Sequence, residues 1–217
     1  MSAAVTLTKV NRVAVITLNV PNKMNAMTSS LATSFGLIVT QLIEDPSDFG
    51  CVVITGAGRA FSAGGDLDWL RLRTTDTPSR NSKIMHDFYN KFLLVRKIPL
   101  PVIAAINGHA LGAGLCFAMA CDIRIVSKSA KLGFTFVGLG LHPGLGATHL
   151  IASVAGYETA YRMLLTGDII NGDEAKALRL CTQVEKDGAA TVQAAMAMAE
   201  RIAAQSPVAV RATVFSL

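Results

Sequence analysis

Phe61-Ser62-Ala63-Gly64-Gly65-Asp66 and Gly108-His109-Ala110-Leu111-Gly112-Ala113-Gly114 are the two stretches whose reading decides the fold. Each follows a short apolar run, Cys51 to Thr55 for the first and Val102 to Ile106 for the second, and each leads into a helical pattern. Apolar runs of this length, bounded by turn residues, read as strands buried on both faces, the kind found in parallel sheets. A buried strand, a glycine-rich turn and a helix therefore occur twice, which predicts an α/β chain with helices covering a sheet. Helix N-termini carry unpaired N–H groups and partial positive charge, and small residues let a ligand oxygen approach that backbone. Two N–H groups converging from two such turns would form an oxyanion hole, each donor contributing about 3–4 kcal/mol to a transition state with charge on a carbonyl oxygen. Two other readings stay open at this point. The turns could bind phosphate, although Gly112-x-Gly114 lacks the third glycine of a dinucleotide fingerprint and no GxxxxGK[ST] motif occurs. The glycines could also do no more than allow tight helix–strand packing.

Outward from these turns the pattern continues. Val5 to Val10 and Val13 to Asn19 alternate around Asn11-Arg12, which predicts a hairpin. Pro21 to Met27 reads as a loop, and Thr28 caps a helix to about Glu44. Thr74 to Ser79 is a polar break before a helical period over 81–97, stopped by Pro99 and Pro101. A helix after Gly114 ends near Asp122, and Ile123 to Val126 is a further strand. Leu132 to Leu141 has no clear period. Leu145 to Val154, Glu158 to Leu165 and Asp173 to Leu178 read as short helices, Thr182 to Val184 as a small strand, and Gly188 to Gln205 as an alanine-rich helix ended by Ser206-Pro207. With no linker and no repeat, residues 1–217 read as a single domain, its core running to about 187 and a helical region beginning at 188.

Composition narrows the classes. Apolar residues make up 51% and charged residues 16% of the 217, which excludes disorder and leaves so thin a polar surface that a subunit contact is expected. The longest run without polar side chains, Ala110 to Ala120, is too short to span a bilayer. The four cysteines, 51, 116, 121 and 181, form no CxxC pair, so neither a zinc site nor a redox dithiol is expected. Reduced thiols and the absence of a signal peptide predict a cytoplasmic protein, or a mitochondrial one if a leader is missing. The net charge of +5 is local: Arg71, Arg73, Arg80, Lys83, Lys91, Arg96 and Lys97 face only Asp76 and Asp87, and the rest of the chain is neutral. That suggests a phosphate-bearing small molecule rather than nucleic acid, because the stretch has few aromatics for base stacking and matches no reader motif. A solvated helix face is the alternative.

Five segments, NKMNAM (22–27), FSAGGDLDWL (61–70), PVIAAINGHALGAGLCFAMACDIRI (101–125), LGLHPGLGATHL (139–150) and LLTGDIINGDEAKALRL (164–180), resemble in order and spacing the crotonase, or enoyl-CoA hydratase/isomerase, superfamily. The resemblance implies a spiral of ββα units, assembled as a homotrimer or a pair of trimers. It implies an acyl-CoA ligand, no other cofactor and no metal, with the thioester oxygen held by the N–H groups of Gly65 and Ala113. Lys23, Asn25, Ala63, Gly64, Asp66 and Leu67 would line the coenzyme A and Phe136 the acyl end, with the basic stretch near the phosphates. The family normally adds a C-terminal helical arm that covers the acyl pocket and joins the trimer contacts. The expectation is that this arm is missing or truncated here.

The resemblance also marks a departure. Hydratases of the family carry one glutamate just after the second glycine turn and another after the next strand. These positions are Cys116 and Phe136 in this chain, and 132–144 holds no carboxylate. Each lost acid or base costs about 10²–10⁴ in rate, so ordinary hydration should be slow. Chemistry that needs only enolate stabilisation stays open, such as decarboxylation of a malonyl-type thioester with His142 supplying the proton. A Cys116 nucleophile with His142 as base would instead make a thioester hydrolase. A non-catalytic acyl-CoA-binding scaffold is the alternative of a different class. Asp66, Asp68 and His149 read as structural, Asp122 and Arg124 as an ion pair or cap, His109 as packed behind the turn, His86 as a lesser pocket candidate, and Trp69 as lining the ligand channel or packed in the core.

Overall fold

The computed structural model describes residues 3–217. β1 (Val5–Val10) and β2 (Val13–Leu18) form an antiparallel hairpin with Val10 opposite Val13. Asn11 takes the left-handed turn position at φ 53, which its short polar side chain tolerates. After a single 3₁₀ turn at Pro21–Lys23, α1 (Ser29–Glu44) starts where Thr28 Oγ1 accepts the Leu31 N–H at 3.2 Å, an N-cap worth about 1 kcal/mol.

One pattern then repeats. The first round is β3 (Cys51–Gly56), β4 (Ala60–Ser62), α2 (Leu67–Arg73) and α3 (Pro78–Leu93). The second is β5 (Val102–Ile106), β6 (His109–Leu111) and α4 (Ala113–Met119). The third is β7 (Ile123–Ser127), β8 (Leu132–Gly133) and α5 (Ala147–Thr166), broken at Gly156 (φ 82, ψ 165) into the two helices that the sequence suggests. β9 (Ile169–Ile170), α6 (Gly172–Ala177), β10 (Gln183–Glu185), α7 (Gly188–Ala203) and α8 (Pro207–Ser216) complete the chain. The first strand of each round joins a six-stranded sheet ordered β1-β2-β3-β5-β7-β10, and the second joins a four-stranded sheet ordered β4-β6-β8-β9. The first sheet is parallel beyond its β1–β2 hairpin, and the second is parallel apart from its β8–β9 pair. This is the spiral of ββα units.

Strand period two divides the core into two layers. Val52 and Ile54 of β3, with Val102, Ala104 and Ile106 of β5, face the larger cluster. Cys51, Val53, Ile103 and Ala105 face α7 on the other side. α7 presents Thr191, Ala195, Ala199 and Ala203, one residue per turn, and these small side chains let it lie close on the sheet. In the larger layer, Phe117 of α4 meets Phe35 at 5.0 Å, Phe92 at 5.6 Å and Phe61 at 5.8 Å between ring centroids. Truncating a buried aromatic of this kind costs about 3–5 kcal/mol, and here the cluster braces the turns on either side of it.

Some sequence expectations need amending. β4 and β6 lie inside stretches read only as glycine loops, because such short strands show no alternation. α3 begins at Pro78 rather than Asn81, since Thr77 caps it and proline suits the first helical position. Asp122 and Arg124 do not form an ion pair: Asp122 Oδ2 accepts the Val102 N–H at 2.7 Å, while Arg124 donates to the carbonyls of Leu180 and Cys121 at 2.8 and 2.6 Å. Among the described residues no helix is long and apolar enough to cross a membrane.

Candidate active site

The second sheet places the two turns side by side. β4 pairs with β6 (Ser62 with Ala110), and β6 pairs with β8 (Leu111 with Gly133), all in parallel. Parallel neighbours end on the same side, so the segments that leave β4, β6 and β8 meet there: Ala63 to Asp66, Gly112-Ala113, and Thr135-Phe136. Gly64 adopts φ +88, and a Cβ on it would stand 2.5 Å from Leu111 O and 3.2 Å from Ala113 N. The turns touch through this glycine, and a side chain would drive them apart. Among the described residues, neither Gly65 N–H nor Ala113 N–H donates to a protein acceptor. Ala113 is the first residue of α4 and follows a Gly112 that offers no side-chain cap.

Both residues open onto a cavity of about 1170 Å³. α2 and α3 form one wall, with Trp69 stacked on Phe88 at 4.4 Å between centroids. Trp69 is thus both packed in the core and exposed to the channel. The opposite wall comes from Thr135, Phe136, Leu139, Leu141 and His142. Lys23, Arg71 and Arg73 lie along the lining on the α2 side. Arg73 is held 2.7 Å from Asp76 and 5.4 Å over the Trp69 ring. Of the seven basic residues in the charged stretch only these two arginines reach the cavity.

Residues 8–216 match the family model described as enoyl-CoA hydratase/isomerase. The chain belongs to the enoyl-CoA hydratase/isomerase family. It is 35% identical to the short-chain-enoyl-CoA hydratase of Clostridium acetobutylicum over 95% of this chain and 78% of that protein. It is 36% identical to the (E)-benzylidenesuccinyl-CoA hydratase of Thauera aromatica over 96% of this chain and 80% of the relative. Among solved structures, the enoyl-CoA hydratase of Bacillus anthracis superposes with a TM-score of 0.89 at 33% identity, covering 97% of this chain and 81% of the other. A Thermobifida fusca structure in complex with CoA gives a TM-score of 0.86 at 36% identity, covering 98% and 83%. Members of the enoyl-CoA hydratase/isomerase family need no cofactor beyond the CoA substrate.

Few acid–base groups line the cavity. The carboxylates lining it are Asp66 and Asp68, both on the α2 side. Asp66 caps α2, its Oδ1 accepting the Trp69 N–H at 2.9 Å and its Oδ2 lying 3.5 Å from Lys23 Nζ. The Trp69 N–H, helped by Lys23, holds its carboxyl below the ordinary aspartate range. It is therefore ionised and engaged at neutral pH. Cys116 does not reach the cavity: it is fully buried, its Sγ donates to Gly112 O at 3.2 Å, and burial pushes the thiol well above its usual range. That environment disfavours a thiolate nucleophile. Phe136 does line the cavity and puts a ring where the resemblance implies a carboxylate.

Lys23, Ala63, Gly65, Asp66, Leu67, Ala113, Phe136 and His142 are brought together on the one cavity. Gly64 sits behind the lining and sets its shape. Asn25, expected at the ligand, serves the scaffold instead. Fully buried, it accepts the Val20 N–H at 2.9 Å and donates to Ala57 O and Ala60 O at 2.9 and 2.8 Å. It clamps the loop before α1 to the start of β4 and so fixes the first turn from behind. His86 is exposed on the outer face of α3 beside Asn90. His109 Nδ1 accepts the Lys131 N–H at 3.2 Å, behind the second turn. His149 is exposed at the start of α5. The sequence reading misses Tyr89 and Thr135. Nothing local marks them as functional, since only the packing of α3 and the exit of β8 turn them toward the cavity.

Proposed function

We propose that this chain binds an acyl-CoA and stabilises the enolate of its thioester between the N–H groups of Gly65 and Ala113, in a reaction that generates the enolate without a carboxylate base. The observation that carries this reading is the pair of unbonded main-chain donors on one cavity whose acyl side lacks a carboxylate. A thioester oxygen accepting both N–H groups gathers negative charge as the enolate forms, and preorganised donors stabilise that charge without reorientation. Ala63, Asp66 and Leu67 would run beside the pantetheine, with Lys23, Arg71 and Arg73 supplying positive charge for the phosphates and Phe136 packing on the acyl group. Loss of CO₂ from a malonyl-type thioester fits this inventory, because the breaking C–C bond itself delivers the electron pair to Cα.

Calorimetric titration with acetyl-CoA and crotonyl-CoA, alongside a crotonyl-CoA hydration assay, tests the reading. Binding heat is expected, with hydration roughly 10⁴-fold or more below that of a two-carboxylate hydratase. Absence of binding heat, or brisk hydration, would contradict it. We further propose assembly as a homotrimer or a pair of trimers in a reducing compartment. Tyr157, Tyr161 and Leu165 form an exposed apolar stripe along α5, and all four cysteines are unpaired. Light scattering after size separation reads the mass directly, and a monomer would overturn the assembly.

A further inference from the structure

Among the polar groups lining the cavity beside Phe136 and His142, the hydroxyls of Tyr89 and Thr135 are half-buried and without a hydrogen-bond partner among the described residues, and the phenol is the more acidic of the two. Tyr89 lies on the inner face of α3, next to Met85 and Phe88, and lines the cavity together with Ala113, Phe136 and His142. Its hydroxyl abuts the main chain at Gly144: a Cβ added there would overlap the phenol oxygen and stand 2.7 Å from Cζ. The phenol therefore stands against the 142–144 loop on the cavity that Ala113 and Phe136 also line. No protein partner bonds it among the described residues, and a sheltered hydroxyl without a partner is costly unless a ligand or water completes it.

We infer that the Tyr89 hydroxyl delivers the proton to the α-carbon of the bound thioester. This rests on the thioester reading above and adds the residue that completes the reaction. Loss of CO₂ leaves the bonding pair on the enolate; that pair takes the Tyr89 proton, forming Cα–H and a phenolate, and the phenolate recovers a proton from water. Burial pushes the phenol up to about 12, so it stays protonated at neutral pH and acts as a donor rather than a base. A thioester enolate carbon is a far stronger base than a phenolate, so the transfer runs downhill. His142 is exposed, and a proton from that side would compete with bulk water.

The test is turnover of methylmalonyl-CoA in D₂O by the wild type, Tyr89→Phe, Gly144→Ala and His142→Ala. The readouts are CO₂ release and the configuration of deuterium at Cα of the propionyl-CoA. The wild type is expected to deliver deuterium to one face. Tyr89→Phe should slow turnover about 10²-fold or more and scramble the label. Gly144→Ala, which displaces the phenol from the outside, should scramble it too. The proposal is overturned if Tyr89→Phe keeps rate and facial selectivity, if selectivity is lost only in His142→Ala, or if the wild type binds the thioester and releases no CO₂. Parallel calorimetry with propionyl-CoA separates the two claims: no binding heat from the wild type would sink the thioester site itself.

Discussion

Gly65 and Ala113 meet the cavity with main-chain N–H groups, whereas Phe136 meets it with no acid or base and Cys116 does not reach it. The first pair depends on backbone geometry alone. It is set by the parallel pairing of β4 with β6, by the left-handed Gly64 between the turns, and by the Asn25 clamp behind them. The second pair depends on side-chain identity, which can change without disturbing a strand or a turn. On the proposed reading, the cavity would keep its grip on a carbonyl oxygen while the proton chemistry beside it differs. In this chain a thiol is withdrawn into the core, a phenyl ring fills the wall, and a phenol from a third element stands nearby.

That contrast can be broken most forcefully at its backbone side. Gly65→Pro removes one donor outright, and turnover of any thioester substrate should fall about 10²–10³-fold, as for other deleted oxyanion donors. Equal rates for variant and wild type would mean that the turn has no part in the chemistry. Asn25→Ala is the next largest test. It leaves the Val20 N–H and the carbonyls of Ala57 and Ala60 without their buried partner. A loss of about 2–3 kcal/mol is expected, seen as a lower urea midpoint and a thermal midpoint lower by several degrees. An unchanged midpoint would show that the first turn does not need the clamp. The smallest effect concerns Asp66. Its carboxyl is held below the ordinary value in the fold, so its contribution is present above about pH 3.9 and disappears as pH falls through the lower folded value. Asn caps helices about as well as Asp, so Asp66→Asn should keep the cap yet flatten the acid limb of stability against pH. Parallel acid limbs for the two proteins would argue against the assignment.

The same contrast explains what could be read from the sequence. The hairpin at Asn11-Arg12, the Thr28 cap and the strands Cys51–Gly56 and Val102–Ile106 are legible because turn chemistry, capping and uniform apolarity are local signals. The two glycine turns are legible for the same reason. β4 and β6 are not, because three-residue strands exist only by pairing with each other and with β8. Asn25 looks like a ligand contact in a motif, and only its three hydrogen bonds to the main chain assign it to the scaffold. Cys116 looks like a helix-start thiol, and only the depth of α4 shows it sealed away. Tyr89 is one aromatic residue among several on an amphipathic helix until the loop at Gly144 closes over its hydroxyl.

The two-donor grip is tested most directly by a crystal structure of the protein with a non-hydrolysable acyl-CoA thioether or thioester analogue bearing the carbonyl. The carbonyl oxygen is expected within about 2.7–3.1 Å of both Gly65 N and Ala113 N, with the acyl group between Phe136 and Tyr89. A carbonyl bound elsewhere in the cavity, or either amide turned away from it, would overturn the assignment.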